Sequence, residues 1–144
     1  MVNAATKIRP YSPEEGKLTV LVVDDHRYFR ESLVSYLTDF LSVSIVGSAG
    51  DGVEAVAQVE KLKPLLVIMD IQMPEMDGVT ACGILKASHP DLRVILYSMN
   101  APDNYGKDAL ERADCFVPKD RLFDELSLLL NRLPPAKSTK GEVR

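Results

Sequence analysis

Five polar residues leave apolar runs at equivalent points of the chain. Asp24 and Asp25 follow LTVLVV, Asp70 follows LLVIM, Ser98 follows RVILY, and Lys119 comes just after the short stretch Cys115–Val117. If those runs are neighbouring strands, their polar ends meet in one crevice. Three carboxylates so placed repel one another, and a hard divalent cation relieves the repulsion; oxygen donors are what Mg²⁺ prefers. A carboxylate can also attack a phosphoryl group and become an aspartyl phosphate. Such a transfer needs neutralisation of charge more than covalent assistance. Mg²⁺ and the Lys119 ammonium supply it, and the Ser98 hydroxyl can donate to a phosphoryl oxygen. The set therefore suits metal-assisted phosphorylation of one aspartate.

Each residue alone has a plainer reading. Aspartate after a strand often caps the next helix, and Asp-x-x-Pro often marks a turn. A lone lysine or serine at such a place is ordinarily a solvated surface residue. His26 has no second histidine near it in sequence and reads as a helix-start residue rather than a metal ligand. What argues for a site is the coincidence of all five at one edge.

The elements that must position them follow from periodicity. Leu18–Val23 is almost wholly apolar, as a strand covered on both faces should be. Phe29, Leu33, Leu37 and Phe40 recur at helical spacing. Val43–Gly47 is a second strand. Asp51 with Glu54 resembles a capping box opening a helix that carries Val53, Val56 and Val59 and closes at Lys63-Pro64. Leu65–Met69 is a third strand, and a helix from Asp77 to Ser88 stops at His89-Pro90. Arg93–Tyr97 and Cys115–Val117 are the fourth and fifth strands. Between them, residues 100–112 form at best a weak helix, because Asn104 and Gly106 are poor helix formers. Arg121–Leu133 carries Leu122, Leu126, Leu129 and Leu133 at helical spacing. Strands alternating with helices predict a parallel sheet covered on both faces, joined by right-handed crossovers. In such sheets the active crevice lies beyond the carboxyl ends of the strands.

Composition bounds the rest. The chain has 144 residues, 46% hydrophobic and 26% charged, which suits one globular domain without disulfide staples. Its net charge is −4, against the basic face a duplex-binding domain usually carries. Cys82 and Cys115 lack metal-type spacing and read as free thiols of a reducing compartment. No apolar run is long enough to span a membrane, and the first residues have no signal-peptide core, so a cytoplasmic protein is expected. Residues 1–17 are expected to be a flexible arm, 18–133 the domain, and 134–144 (PPAKSTKGEVR) a tail or a shortened interdomain linker.

VVDDHRYFRESL, MDIQMPEMDG, LYS and FVPKD, in that order, resemble the signature of response-regulator receiver domains, and are most similar to receivers of NarL-type transcription regulators. The likeness runs from about Leu18 to Leu133. It implies a flavodoxin-like (βα)5 fold of strand order 2-1-3-4-5, the order that CheY illustrates. It also implies a two-component switch, in which a histidine kinase or phosphotransfer protein donates to Asp70. By position, Asp24 and Asp25 match the acidic pair that holds Mg²⁺, for which Mn²⁺ can substitute. Asp70 and the Gln72 backbone carbonyl match the remaining metal contacts. Ser98 matches the hydroxyl that meets the phosphoryl group, and Lys119 the family lysine. Phe116 matches the aromatic whose rotamer follows phosphorylation. Pro74 and Gly78 match the turn after the acceptor strand, where glycine can take backbone angles that other residues avoid. The implied output is an effector such as a DNA-binding domain, with a homodimer possible and no direct contact of this segment with nucleic acid or membrane.

Three positions depart from the usual pattern: Met99 stands where a small residue is common, Asp120 where many receivers have proline, and Phe116 has no hydroxyl. Two other function classes are separable. A module that binds partners without phosphate would have no need of a repelling acidic cluster. A phosphatase with an aspartate nucleophile needs a second acid two residues on, and Gln72 stands there. No GxGxxG or GxxxxGK[ST] supports nucleotide binding.

Overall fold

Alternation along three central strands decides the layering. In β1 (Leu18–Val23), Val20 and Val22 face one way and Leu21 and Val23 the other; all four are fully buried. The same division separates Leu66 and Ile68 from Val67 and Met69 in β3 (Leu66–Asp70). It separates Ile95 and Tyr97 from Val94 and Leu96 in β4 (Arg93–Ser98). A strand apolar on both faces must be covered on both, so these three are central. The edges are β2 (Val43–Ala49) and β5 (Cys115–Pro118), giving one sheet of order β2-β1-β3-β4-β5 with every pairing parallel. The strand order and parallel pairing are those expected of the flavodoxin-like fold.

The computed structural model describes residues 16–132. The expected arm, apart from residues 16 and 17, and the tail 134–144 lie outside the described residues, as does Leu133.

One face is covered by α1 (Arg27–Thr38) and α5 (Leu122–Arg132), through Leu33, Leu37, Leu122, Leu126, Leu129 and Leu130. The other is covered by α2 (Gly52–Leu62) and α3 (Gly78–Ser88), through Ala55, Val59, Ala81, Cys82 and Leu85. Each fully buried aliphatic side chain contributes about 1.5–3 kcal/mol. Burial also pushes the Cys82 thiol up to about 11, so it is an unreactive core residue. At the amino edge of the sheet, Lys86 donates to the Leu92 carbonyl and pairs with Asp114 at 3.1 Å, while Asp114 accepts from the Val94 N–H.

Two local expectations change. The box at α2 forms with a shift: Asp51 Oδ1 accepts from the Glu54 N–H at 2.8 Å, but Glu54 reaches back to the Gly50 N–H. Val53 does not lie on the buried face; it is 53% exposed, and Gly52, Ala55 and Val59 face inward instead. The helix start packs so close to the β3–α3 turn that a Cβ on Gly52 would stand 2.5 Å from the Met76 carbonyl oxygen. That approach fixes the helix rotation and selects the small-residue stripe.

Residues 99–114 are the least regular part. Pro102–Asn104 form a 3₁₀ turn, and α4 (Lys107–Glu111) is a little over one turn with no buried residue. A helix this short has no stability of its own. It is held by Leu110 and by Tyr105 just before it, both packed against the α2–α3 layer.

Candidate functional site

Asp24 leaves β1 with its carboxylate wholly buried. Its backbone N–H donates to the Ala49 carbonyl at 3.0 Å, and its own carbonyl accepts from the Arg30 guanidinium at 2.6 Å. Oδ1 accepts from the His26 N–H at 2.8 Å, and Oδ2 from the Tyr97 hydroxyl at 2.5 Å. The plainer reading of Asp24 and Asp25 as helix caps does not hold: Asp24 Oδ1 takes the N–H of the residue before α1, not one of its first turn. His26 occupies the N-cap position without a side-chain cap bond. Asp25, next along, is exposed.

Asp70 ends β3, in register with Tyr97 of β4, and is buried. Its Oδ1 accepts from the Gln72 N–H at 3.3 Å, and Gln72 itself is exposed. Carboxylate oxygens of Asp24, Asp25 and Asp70 lie within 4.8 Å of one another. Burial foremost, then Asp24, pushes Asp70 up from its ordinary 3.8 to about 6, against Lys119 and the Gln72 N–H, with Asp25 adding to the rise. The site is short of positive charge. A cluster of carboxylate oxygens with one exposed member suits a hard cation, so the donor set fits Mg²⁺.

Lys119 follows Pro118 and begins a 3₁₀ turn that runs into α5. Its ammonium stands 3.7 Å from Asp24 Oδ2 and 3.9 Å from Asp70 Oδ2. It also lies 4.3 Å above the Phe29 ring, and Phe29 packs beside Tyr97. The aromatic floor holds the ammonium by cation–π attraction and shields it from water, which strengthens both ion pairs.

Ser98 closes β4 and is 1% exposed. Its Oγ accepts from the Asn100 N–H at 3.0 Å and is hydrogen-bonded to the Tyr105 hydroxyl at 2.6 Å. Met99 is 72% exposed and lines a pocket with Pro102, Pro118 and Lys119. Phe116 pairs in register with Leu96 and packs, half-buried, against the α2–α3 layer.

The turn after Asp70 corrects one expectation. The left-handed residue is Glu75, with φ 67°, and the Met76 N–H donates to the Pro74 carbonyl across it. Gly78 is needed for space rather than for unusual angles. A Cβ there would stand 2.3 Å from the Asp70 carbonyl oxygen, and the Gly78 N–H donates to the Ile71 carbonyl. Asp77 caps α3 by accepting from the Thr80 N–H at 2.8 Å.

Sequence reading missed Tyr97, Tyr105, Arg30 and the second task of Phe29. The apolar run RVILY places Tyr97 in a strand without giving its hydroxyl a task. Its signal was a hydroxyl in an otherwise aliphatic strand, since a buried tyrosine needs a partner for its O–H.

Comparison with known proteins agrees with this geometry. The family model described as response regulator receiver domain matches residues 20–131. A protein-glutamate methylesterase/protein-glutamine glutaminase of Alkalilimnicola ehrlichii is 40% identical over 106 residues, which is 72% of this chain and 27% of that protein. The response regulator protein VraR of Staphylococcus aureus is 36% identical over 103 residues, 71% of this chain and 49% of VraR. The chain thus spans half or less of the curated relatives it matches. Among solved structures, the signal receiver domain of the response regulator NarL from Mycobacterium tuberculosis superposes with a TM-score of 0.73 at 31% identity, covering 88% of this chain and 98% of that one. CheY of Borrelia burgdorferi, solved in a complex with CheX, BeF3 and magnesium, gives 0.70 at 25% identity, covering 88% and 98%. With the expected sheet order and the family model matched over most of its length, the chain belongs to the response regulator receiver domains of two-component systems.

Proposed function

We propose that this receiver accepts a phosphoryl group on Asp70 from the phosphohistidine of a histidine kinase or phosphotransfer protein. The observation that carries the reading is the Lys119 ammonium bridging Asp24 and Asp70 at 3.7 and 3.9 Å within a three-carboxylate cluster. Asp24, Asp25, Asp70 and the Gln72 backbone carbonyl would hold Mg²⁺, or Mn²⁺ in its place. Bound there, the ion would neutralise charge on the phosphoryl oxygens and the attacking carboxylate.

A deprotonated Asp70 oxygen forms the new bond to phosphorus as the phosphorus–nitrogen bond of the donor breaks and the imidazole leaves. Lys119 balances the developing charge, and Ser98 donates to a phosphoryl oxygen. Charge of about −2 then sits where a carboxylate was. Ser98 and Phe116 respond, and the face built by β4, α4, β5 and α5 changes its preference for a partner. That partner is an effector such as a DNA-binding domain, in keeping with relatives named as transcriptional regulatory proteins. The domain assists its own phosphorylation and dephosphorylation but turns over no external substrate. Among the described residues no helix is long and apolar enough to cross a membrane, and a kinase-linked switch of this kind belongs in the cytoplasm.

The test is intact-protein mass after incubation with a small phosphodonor and Mg²⁺. One phosphate is expected on the unaltered protein, and none on Asp70→Asn or without metal. Phosphate on Asp70→Asn, or none on either protein with a kinase donor also failing, would overturn the assignment.

A further inference from the structure

Ser98 is already engaged. A serine hydroxyl has one proton to give and two lone pairs. The Asn100 N–H takes one lone pair at 3.0 Å, and the Tyr105 hydroxyl stands at 2.6 Å. The Tyr105 oxygen in turn accepts from the Asn100 side-chain amide at 3.4 Å. Ser98, Asn100 and Tyr105 thus close a small ring of hydrogen bonds at the carboxyl end of β4. Ser98 is buried and Tyr105 half-buried, so a hydrogen bond left unmade there is costly.

The other end of Tyr105 is equally placed. Its ring packs, half-buried, against the same layer as Leu110 and Phe116. It immediately precedes Gly106 and α4, a segment with no buried residue of its own. Phe116 has no hydroxyl, so among these aromatic side chains only Tyr105 can hydrogen-bond to Ser98.

We infer that Tyr105 is a positioning residue: its hydroxyl latches Ser98 and the 99–111 segment together in the unphosphorylated domain. When a phosphoryl group on Asp70 draws the Ser98 hydroxyl to itself, that bond is exchanged and the segment is released. The release step rests on the reading of Asp70 as phosphoacceptor; the latch itself does not.

Tyr105→Phe tests it, because the ring and its packing remain and only the hydroxyl goes. Amide hydrogen exchange over 99–111 is measured on the full chain without phosphodonor, for the unaltered protein, Tyr105→Phe, Ser98→Ala and the double variant. Either single change should speed exchange there by about fivefold, the factor one net hydrogen bond supplies. Ser98→Ala also loses the bond from the Asn100 N–H, so the double variant should fall short of the product of the two single effects. With phosphodonor and Mg²⁺, exchange in the unaltered protein should rise to the level of Tyr105→Phe. In that variant, phosphate should arrive as fast or faster and exchange should not rise again. Unchanged exchange in Tyr105→Phe, additive effects in the double variant, or a full further rise on phosphorylation of Tyr105→Phe would each overturn the latch. If the unaltered protein takes no phosphate, the assignment of Asp70 fails, while the four unphosphorylated proteins still decide the latch.

Discussion

The Tyr97 hydroxyl donates to Asp24 Oδ2 at 2.5 Å, joining β4 to the end of β1 across the intervening strand β3. Both residues are fully buried. Oδ1 of the same carboxylate accepts from the His26 N–H, so each oxygen has a neutral donor besides the Lys119 ammonium. These groups stand where water would otherwise solvate a buried carboxylate. Burial and the three nearby carboxylates, Asp24 foremost, push the Tyr97 phenol far above its ordinary range, so it remains a donor at any working pH.

Tyr97→Phe should therefore destabilise the domain without changing its shape. A hydrogen bond to a charged group contributes about 1.5–3 kcal/mol, and Asp24 would be left one donor short. The urea midpoint should fall with the slope unchanged. An unchanged midpoint would mean that Lys119 and the His26 N–H suffice.

Asp70 carries a pH signature. Its carboxyl is pushed up from 3.8 to about 6, chiefly by burial and then by Asp24, so the folded state binds its proton more tightly than the unfolded chain. A raised carboxyl is a penalty at neutral pH that disappears as pH falls from about 6 towards 4. The gap is worth at most about 3 kcal/mol. In chelator, Asp70→Asn should be more stable than the unaltered protein at pH 7, and the difference should shrink by pH 5. Denaturant unfolding at the two pH values checks this, and an Asn variant that is less stable at both would refute it.

Divalent metal should relieve the same strain. A ligand that binds only the folded state stabilises it by about 2.7 kcal/mol at a hundred times its dissociation constant. Millimolar Mg²⁺ should raise the melting temperature at constant ionic strength. Asp25→Asn, which changes the exposed member of the cluster and so costs little stability, should lose most of the rise. An equal rise in Asp25→Asn, or with a matched monovalent salt, would place the ion elsewhere.

Two glycines of one helix should behave oppositely. A Cβ on Gly78 meets the Asp70 carbonyl at 2.3 Å and the Ile71 Cα at 2.9 Å, both backbone that cannot yield without moving Asp70. Gly78→Ala should cost about 1–3 kcal/mol and slow phosphorylation. At Gly83 the nearest atom is the end of the Arg112 side chain, 3.2 Å away, which can swing aside. Gly83→Ala should be neutral or stabilise by up to about 1 kcal/mol, as alanine does inside a helix. Thermal melts and phosphorylation rates of the pair separate the two cases.

Much of this was legible in the chain itself. Apolar runs such as Leu18–Val23 and Leu66–Met69 can be satisfied only in the middle of a doubly covered sheet, and their polar successors must then share an edge. Periodicity therefore sufficed to bring Asp24, Asp70 and Lys119 towards one another and to put Ser98 at the same edge of the sheet. It also showed where it would fail: residues 100–112 lack a period, and there the structure has only a 3₁₀ turn and a helix of five residues.

Other features depend on contacts between residues far apart in sequence. Pattern places Val53 and Tyr97 with the apolar residues, but the fold exposes the first and uses the hydroxyl of the second. Gly78 signals a turn in the sequence, yet only the approach of α3 to the Asp70 carbonyl shows that it is there for room while Glu75 takes the left-handed angle. Likewise no spacing rule links Ser98 to Tyr105 or seats Lys119 over Phe29. The order of residue types determined the sheet, its edge and the chemistry gathered there, because burial acts on each strand locally. The partners of each hydroxyl and charge were decided by tertiary structure, because hydrogen bonds and ion pairs depend on ångström distances between elements that the chain brings together only when folded.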